Sequence, residues 1–137
     1  MVKHICWMER RALQILVAVG CIVPLAAGAA GVLLGPVMMD AAAAPALDSH
    51  YRYLSGLLLA IGIGFASTIP KIESQGARFR LLTLIVVVGG VGRAVSAAAV
   101  GFPHGAMAAA LVMELVVTPG LALWQHRIAR KCAIIPH

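Results

Sequence analysis

From Ala12 to Met39 no residue carries a charge, and the same holds from Tyr53 to Pro70. A third stretch, Leu81 to Gln125, contains two charged residues, Arg93 and Glu114. A helix needs about 20 apolar residues to cross about 30 Å of hydrocarbon. The first two runs each suit one crossing. The third suits two, with Gly101-Phe102-Pro103-His104-Gly105 as the turn between them. None of the runs alternates polar with apolar residues, which excludes a membrane β-barrel. The expectation is an all-α integral membrane four-helix bundle, one transmembrane domain over residues 1–137. Its helices are expected at about 12–34, 53–69, 81–101 and 106–125.

Composition closes off the other classes. With 61% hydrophobic and 12% charged residues, the chain cannot clothe a water-facing surface, and disorder is excluded by the same numbers. The excess of basic over acidic residues, 11 against 5, would suggest nucleic acid in a soluble protein. Here the basic residues cluster at the ends of apolar runs without interleaved aromatics, so no nucleic-acid partner is expected.

Those clusters orient the chain. Lys3, Arg10 and Arg11 precede the first run, Lys71, Arg78 and Arg80 follow the second, and Arg127, Arg130 and Lys131 follow the fourth. With four crossings all three segments share one side, and the other side holds Asp40, Asp48 and Arg52. The positive-inside rule then puts both termini in the cytoplasm, as a multi-pass protein of the cell inner (plasma) membrane. Trp7 and Trp124 mark the inner interface, and Tyr51 and Tyr53 the outer one. Arg10-Arg11 followed by an apolar run and Ala26-Ala27-Gly28-Ala29-Ala30 resembles a secretory signal. The run is long for a signal core and is broken by Pro24, so it is read as a retained membrane helix.

Lipid offers no hydrophobic drive for helix association, so small residues are expected to mark the contact faces. The candidates are Gly20, Pro24, Gly28, Gly31 and Gly35 in the first helix, and Gly56, Ala60, Gly64 and Thr68 in the second. The third offers Gly89, Arg93 and Ala97 with Gly90 and Gly92 beside them, and the fourth Ala106, Ala110, Glu114 and Thr118. Pro24 and Pro119 are expected to kink their helices.

Arg93 and Glu114 are the informative residues. At about 1.5 Å of rise per residue, Arg93 lies about 18 Å above Leu81. Glu114 lies about 12 Å below Ala106, again about 18 Å from the cytoplasmic side. Either charge alone costs at least about 2.5–3.5 kcal/mol in the membrane. A bidentate Arg–carboxylate pair removes much of that cost, so the two are expected to pair, either to fix helix register or as part of a ligand site. Arg52 with Asp48, Ser55, Ser96 and His104 would line an outer funnel leading to the pair. Interfacial snorkelling is the alternative for Arg52.

No histidine lies in the middle of a run, so bis-histidine haem ligation is not expected. No metal-binding, phosphate-loop or nucleophile motif is present, and neither a metal nor a cofactor is expected. Cys6, Cys21 and Cys132 are read as small apolar fillers and ordinary thiols, with no disulfide framework.

The order Tyr51-Arg52-Tyr53-Leu54-Ser55-Gly56, Gly62, Gly92-Arg93, Gly101-Phe102-Pro103, Glu114-Leu115 and Pro119-Gly120-Leu121 resembles the small four-helix bacterial membrane proteins of domain of unknown function family 4345. The resemblance runs from the first helix to Trp124. It implies a four-span inner-membrane protein whose polar signature maps onto Arg52, Arg93 and Glu114, and it implies no activity.

Three functional readings follow. The first is a non-enzymatic accessory subunit, or a binder of a lipid or quinone-like molecule, within a larger membrane complex or a homo-oligomer. The second is a small proton-coupled transporter acting as a dimer, which pairing of Glu114 weakens. The third, a membrane-embedded redox enzyme, has no catalytic constellation to support it.

Overall fold

The computed structural model describes residues 2–39, 44–102 and 105–133, and among these there is no strand. Helix α1 spans Val2–Leu34 and is followed by a 3₁₀ turn, Gly35–Met39. Helix α2 spans Pro45–Thr68, closed by a second 3₁₀ turn at Ile69–Lys71. Helix α3 spans Gly76–Val100. Helix α4, Ala106–Val112, passes through a π-helical turn at Met113–Val117 into helix α5, Thr118–Ala133. Four helical stretches are long and apolar enough to cross a membrane: Cys6–Val37, Pro45–Lys71, Gly76–Val100 and Ala106–Ala133.

The helices start earlier than the uncharged runs do. The expected starts at 12, 53 and 81 are corrected to Val2, Pro45 and Gly76, and the last helix continues to Ala133. Charged residues mark where hydrocarbon ends, not where helical hydrogen bonding ends. Pro45 also begins α2 well, because a first-turn residue has no helical partner for its N–H.

The apolar stretches bury little of themselves, at most 22% of the most apolar window in any span. Large side chains such as Ile15, Ile22, Leu33, Ile63, Val88 and Leu123 stand exposed. That pattern is untenable in water and ordinary for helices solvated by lipid.

The chain forms two compact units, Met1–Gln14 with Pro70–His137, and Ile15–Ile69. In the second unit α1 and α2 meet through small residues. A Cβ placed on Gly28 would lie 2.6 Å from the backbone nitrogen of Leu59, and one on Gly31 would collide with the Ser55 hydroxyl. Gly62 closes on Leu25 in the same way. The α2 contact face is therefore Ser55, Leu59 and Gly62, offset from the expected Gly56–Ala60–Gly64 stripe. Gly20 faces open space, which corrects its expected place in the α1 contact. The buried hydroxyls of α2 stay satisfied within their own helix. Ser55 donates to Tyr51 O at 2.8 Å, and Thr68 to Phe65 O at 2.7 Å.

Arg52 closes the far end of α1. Its Nη1 donates to the carbonyls of Val32 at 2.6 Å and Leu33 at 3.1 Å, while Nε donates to Asp48 Oδ2 at 2.8 Å. A helix end leaves its last carbonyls without partners, and a cation there also suits the helix dipole. Gly35 makes room for this cap. Its φ is +67°, and a Cβ there would fall 2.7 Å from both Arg52 Nη2 and Asp48 Oδ1. Gly35→Ala is expected to cost about 1–2 kcal/mol in backbone strain alone. Thermal unfolding in detergent should show that loss, and a melting temperature equal to wild type would contradict the cap.

In the first unit the start of α1, the 70–75 connection and the end of α5 come together. Arg10 Nη1 lies 3.1 Å from Glu73 Oε1, and Lys131 Nζ lies 2.8 Å from Glu9 Oε1. Gln125, fully buried, donates to Ile72 O at 2.8 Å, and Leu13, Ile72, Phe79 and Ile128 are buried with it. The reading of Cys6 and Cys132 as ordinary thiols is corrected here, because the two form a disulfide. The first turns of α1 and the last turns of α5 lie together in this unit, which brings together cysteines 126 positions apart.

Candidate functional site

The other end of the first unit carries the polar site. Gly90 sits one turn before Arg93 on α3, and a Cβ there would lie 2.9 Å from Glu114 Cβ and 2.8 Å from Leu115 Cδ2. The absence of that atom lets α3 approach the π turn closely enough for Arg93 to reach Glu114. Gly89 and Gly92 face open space, so the contact phase is that of Phe79, Thr83 and Gly90.

The π turn originates in Pro119. Proline cannot donate to the carbonyl four residues back, and its ring crowds that carbonyl. The chain relieves this by widening one turn. The Thr118 N–H reaches Met113 O, five residues back, and the Thr118 hydroxyl donates to the same oxygen at 2.8 Å. The expected irregularity at Pro119 thus takes the form of a π turn, and Glu114 lies inside it. Helix α1 continues through Pro24.

Arg93 meets Glu114 with both ends of its guanidinium fork. Nε lies 3.0 Å from Oε2, and Nη2 lies 3.1 Å from Oε1. Nη1 turns to the sulfur of Met107 at 3.1 Å. A guanidinium has five N–H groups. Two go to the carboxylate and one to a thioether, a weak acceptor, leaving two without an acceptor among the described residues. The side chain of Arg93 is 36% exposed and that of Glu114 19%, so the pair is open on the arginine side.

Ser96, one turn further along α3, is exposed, and no hydrogen bond of its hydroxyl is seen among the described residues. Arg52, Asp48 and Ser55 belong to the other unit, where they cap α1 and line the α1–α2 contact. His104 lies outside the described residues. Among the described residues no three His, Cys, Asp or Glu side chains gather into a set able to hold a metal ion. Met107 was not among the residues the sequence pointed to, because a methionine in an apolar helix carries no signal of its own.

The family model described as Domain of unknown function (DUF4345) matches residues 12–125. The chain belongs to this family. The DUF4345 segment includes Arg52, Arg93 and Glu114, and leaves Cys6 and Cys132 outside it. Comparison with curated proteins and with solved structures gave no match. With four helices of spanning length, this DUF4345 member is a multi-pass integral membrane protein.

Proposed function

We propose that the chain is a non-enzymatic protein of the cell inner membrane, with both termini in the cytoplasm. It binds a lipid or quinone-like molecule through an acceptor oxygen on Arg93, either by itself or as an accessory subunit of a larger membrane complex. The observation that carries this reading is the incompletely used guanidinium. In a medium without water, a charged fork satisfied on one side and facing a thioether on the other is short of acceptors. A quinone carbonyl, a lipid ester carbonyl or a lipid phosphate supplies one. Glu114 fixes the orientation of the fork and offsets its charge, so an uncharged carbonyl compound is as acceptable as an anion. Met107 would then sit beside the ligand as an adaptable apolar wall.

A photo-reactive amino acid in place of Met107 tests this in native membranes. Irradiation should attach a lipid or quinone-like adduct, and Arg93→Gln in the same background should abolish it. Equal labelling with and without Arg93 would overturn the reading.

A further inference from the structure

The disulfide lies among the nine basic residues that assign its end of the protein to the cytoplasm. Cytoplasmic thiols are kept reduced by glutathione and thioredoxin systems, and disulfides found there are mostly transient and redox-active. A bonded pair in that compartment is therefore poorly explained as a permanent staple.

Contacts other than the bond also hold this region together. Glu9, three residues after Cys6, accepts from Lys131, the residue before Cys132, at 2.8 and 3.0 Å. The neighbouring Arg10 is tied to Glu73 at 3.1 Å, and Leu13 and Ile128 are fully buried in the same unit. These contacts keep the first turns of α1 against the last turns of α5 when the sulfurs are apart. The two cysteines, with Cα atoms 6.0 Å apart, thus remain neighbours in the reduced state, and closure is an intramolecular event at high effective concentration. Cys6 and Cys132 are each partly exposed, whereas Cys21 is buried and unpaired. Small thiols can reach the pair.

We infer that Cys6 and Cys132 form a reversible thiol–disulfide site on the cytoplasmic face, exchanging with the cellular thiol pool. In the reducing direction a thiolate RS⁻ attacks one sulfur of the pair and gives a mixed disulfide, releasing the other cysteine as a thiolate. A second RS⁻ releases the first cysteine as RSSR forms. Two electrons pass from the two RSH to the pair, and both cysteines end as thiols carrying the two protons. The reverse reaction, with RSSR as oxidant, closes the clasp. The inference rests on the cytoplasmic placement of the termini in the reading above.

The test uses the full chain in a bacterial host. Cells are quenched in acid, denatured and treated with a polyethylene-glycol maleimide, so that each free thiol retards the protein on a gel. With three cysteines in the chain, unstressed cells should show three additions. Cells treated with diamide should show one, at Cys21, and washing in dithiothreitol should restore three. Cys6→Ser should give two additions in unstressed cells and, after diamide, one, with Cys132 held as a mixed disulfide whose small-thiol mass is seen on the intact protein, whereas the diamide-treated wild type should carry no such mass, which assigns the change to this pair. Fusions of the C-terminus to a fluorescent protein and to alkaline phosphatase are read in parallel. A fluorescent fusion with inactive phosphatase, together with one addition in unstressed cells or three after diamide, overturns the redox site itself. An active phosphatase and a dark fluorescent fusion overturn the inference through its premise.

Discussion

Glu114→Ala should lower stability by about 2–4 kcal/mol in detergent or bicelles. The substitution takes both acceptors from Arg93 and leaves a cation with a thioether for company. Loss of one partner from a buried pair costs about 3–5 kcal/mol in soluble proteins. The partial exposure of Arg93 lowers that figure here. Glu114→Gln should cost less, because one amide oxygen still accepts. The decisive comparison is Arg93→Leu with Glu114→Leu in one chain, which removes both charges and should recover much of the loss. If the double variant is as unstable as the sum of its parts, the two residues do not act as a pair.

Gly28→Leu should be the most damaging change on the α1–α2 face. Even the first added carbon falls 2.6 Å from Leu59 N and 2.8 Å from Leu59 Cα, and backbone cannot turn aside as a side chain can. Gly28→Ala should therefore cost about 1–3 kcal/mol and Gly28→Leu more, since the two helices must separate. The matched control is Gly20→Ala, which meets nothing within 4 Å and should be neutral or slightly stabilising through helix propensity. Thermal unfolding of the three variants in one detergent makes the comparison. Equal effects at Gly20 and Gly28 would mean that close approach at Gly28 does not hold this helix pair together.

The contrast between those two glycines shows how far the sequence could be read. Charge-free runs located four helices because hydrocarbon tolerates little else. They misplaced the starts of α1, α2 and α3, because a helix keeps its hydrogen bonds after it leaves the lipid. Small residues announced close packing, but most helices here carry several, and spacing alone did not choose between the face of Gly56 and that of Ser55 and Gly62. Pro119 announced an irregularity without its form, which depended on Thr118 preceding it with an N–H and a hydroxyl for Met113 O. The Cys6–Cys132 bond does have a signal in the topology. An even number of crossings returns both termini to one side, so cysteines near the two ends can meet. The sequence leaves Arg52 between a funnel and the interface, because its hydrogen bonds to Val32 and Leu33 depend on where α1 stops.

The proposed site rests on Arg93 presenting unused N–H groups to a molecule from the membrane. Native mass spectrometry of the wild-type chain, released gently from membranes, tests it most directly when run beside the double variant Arg93→Gln, Glu114→Gln. That variant keeps polar side chains of similar size at both positions and removes both charges. The wild type should retain a lipid or quinone-like adduct that is lost from the double variant at equal folded yield. Identical adducts on both, or a bare wild-type chain under conditions that preserve other lipid contacts, would contradict it.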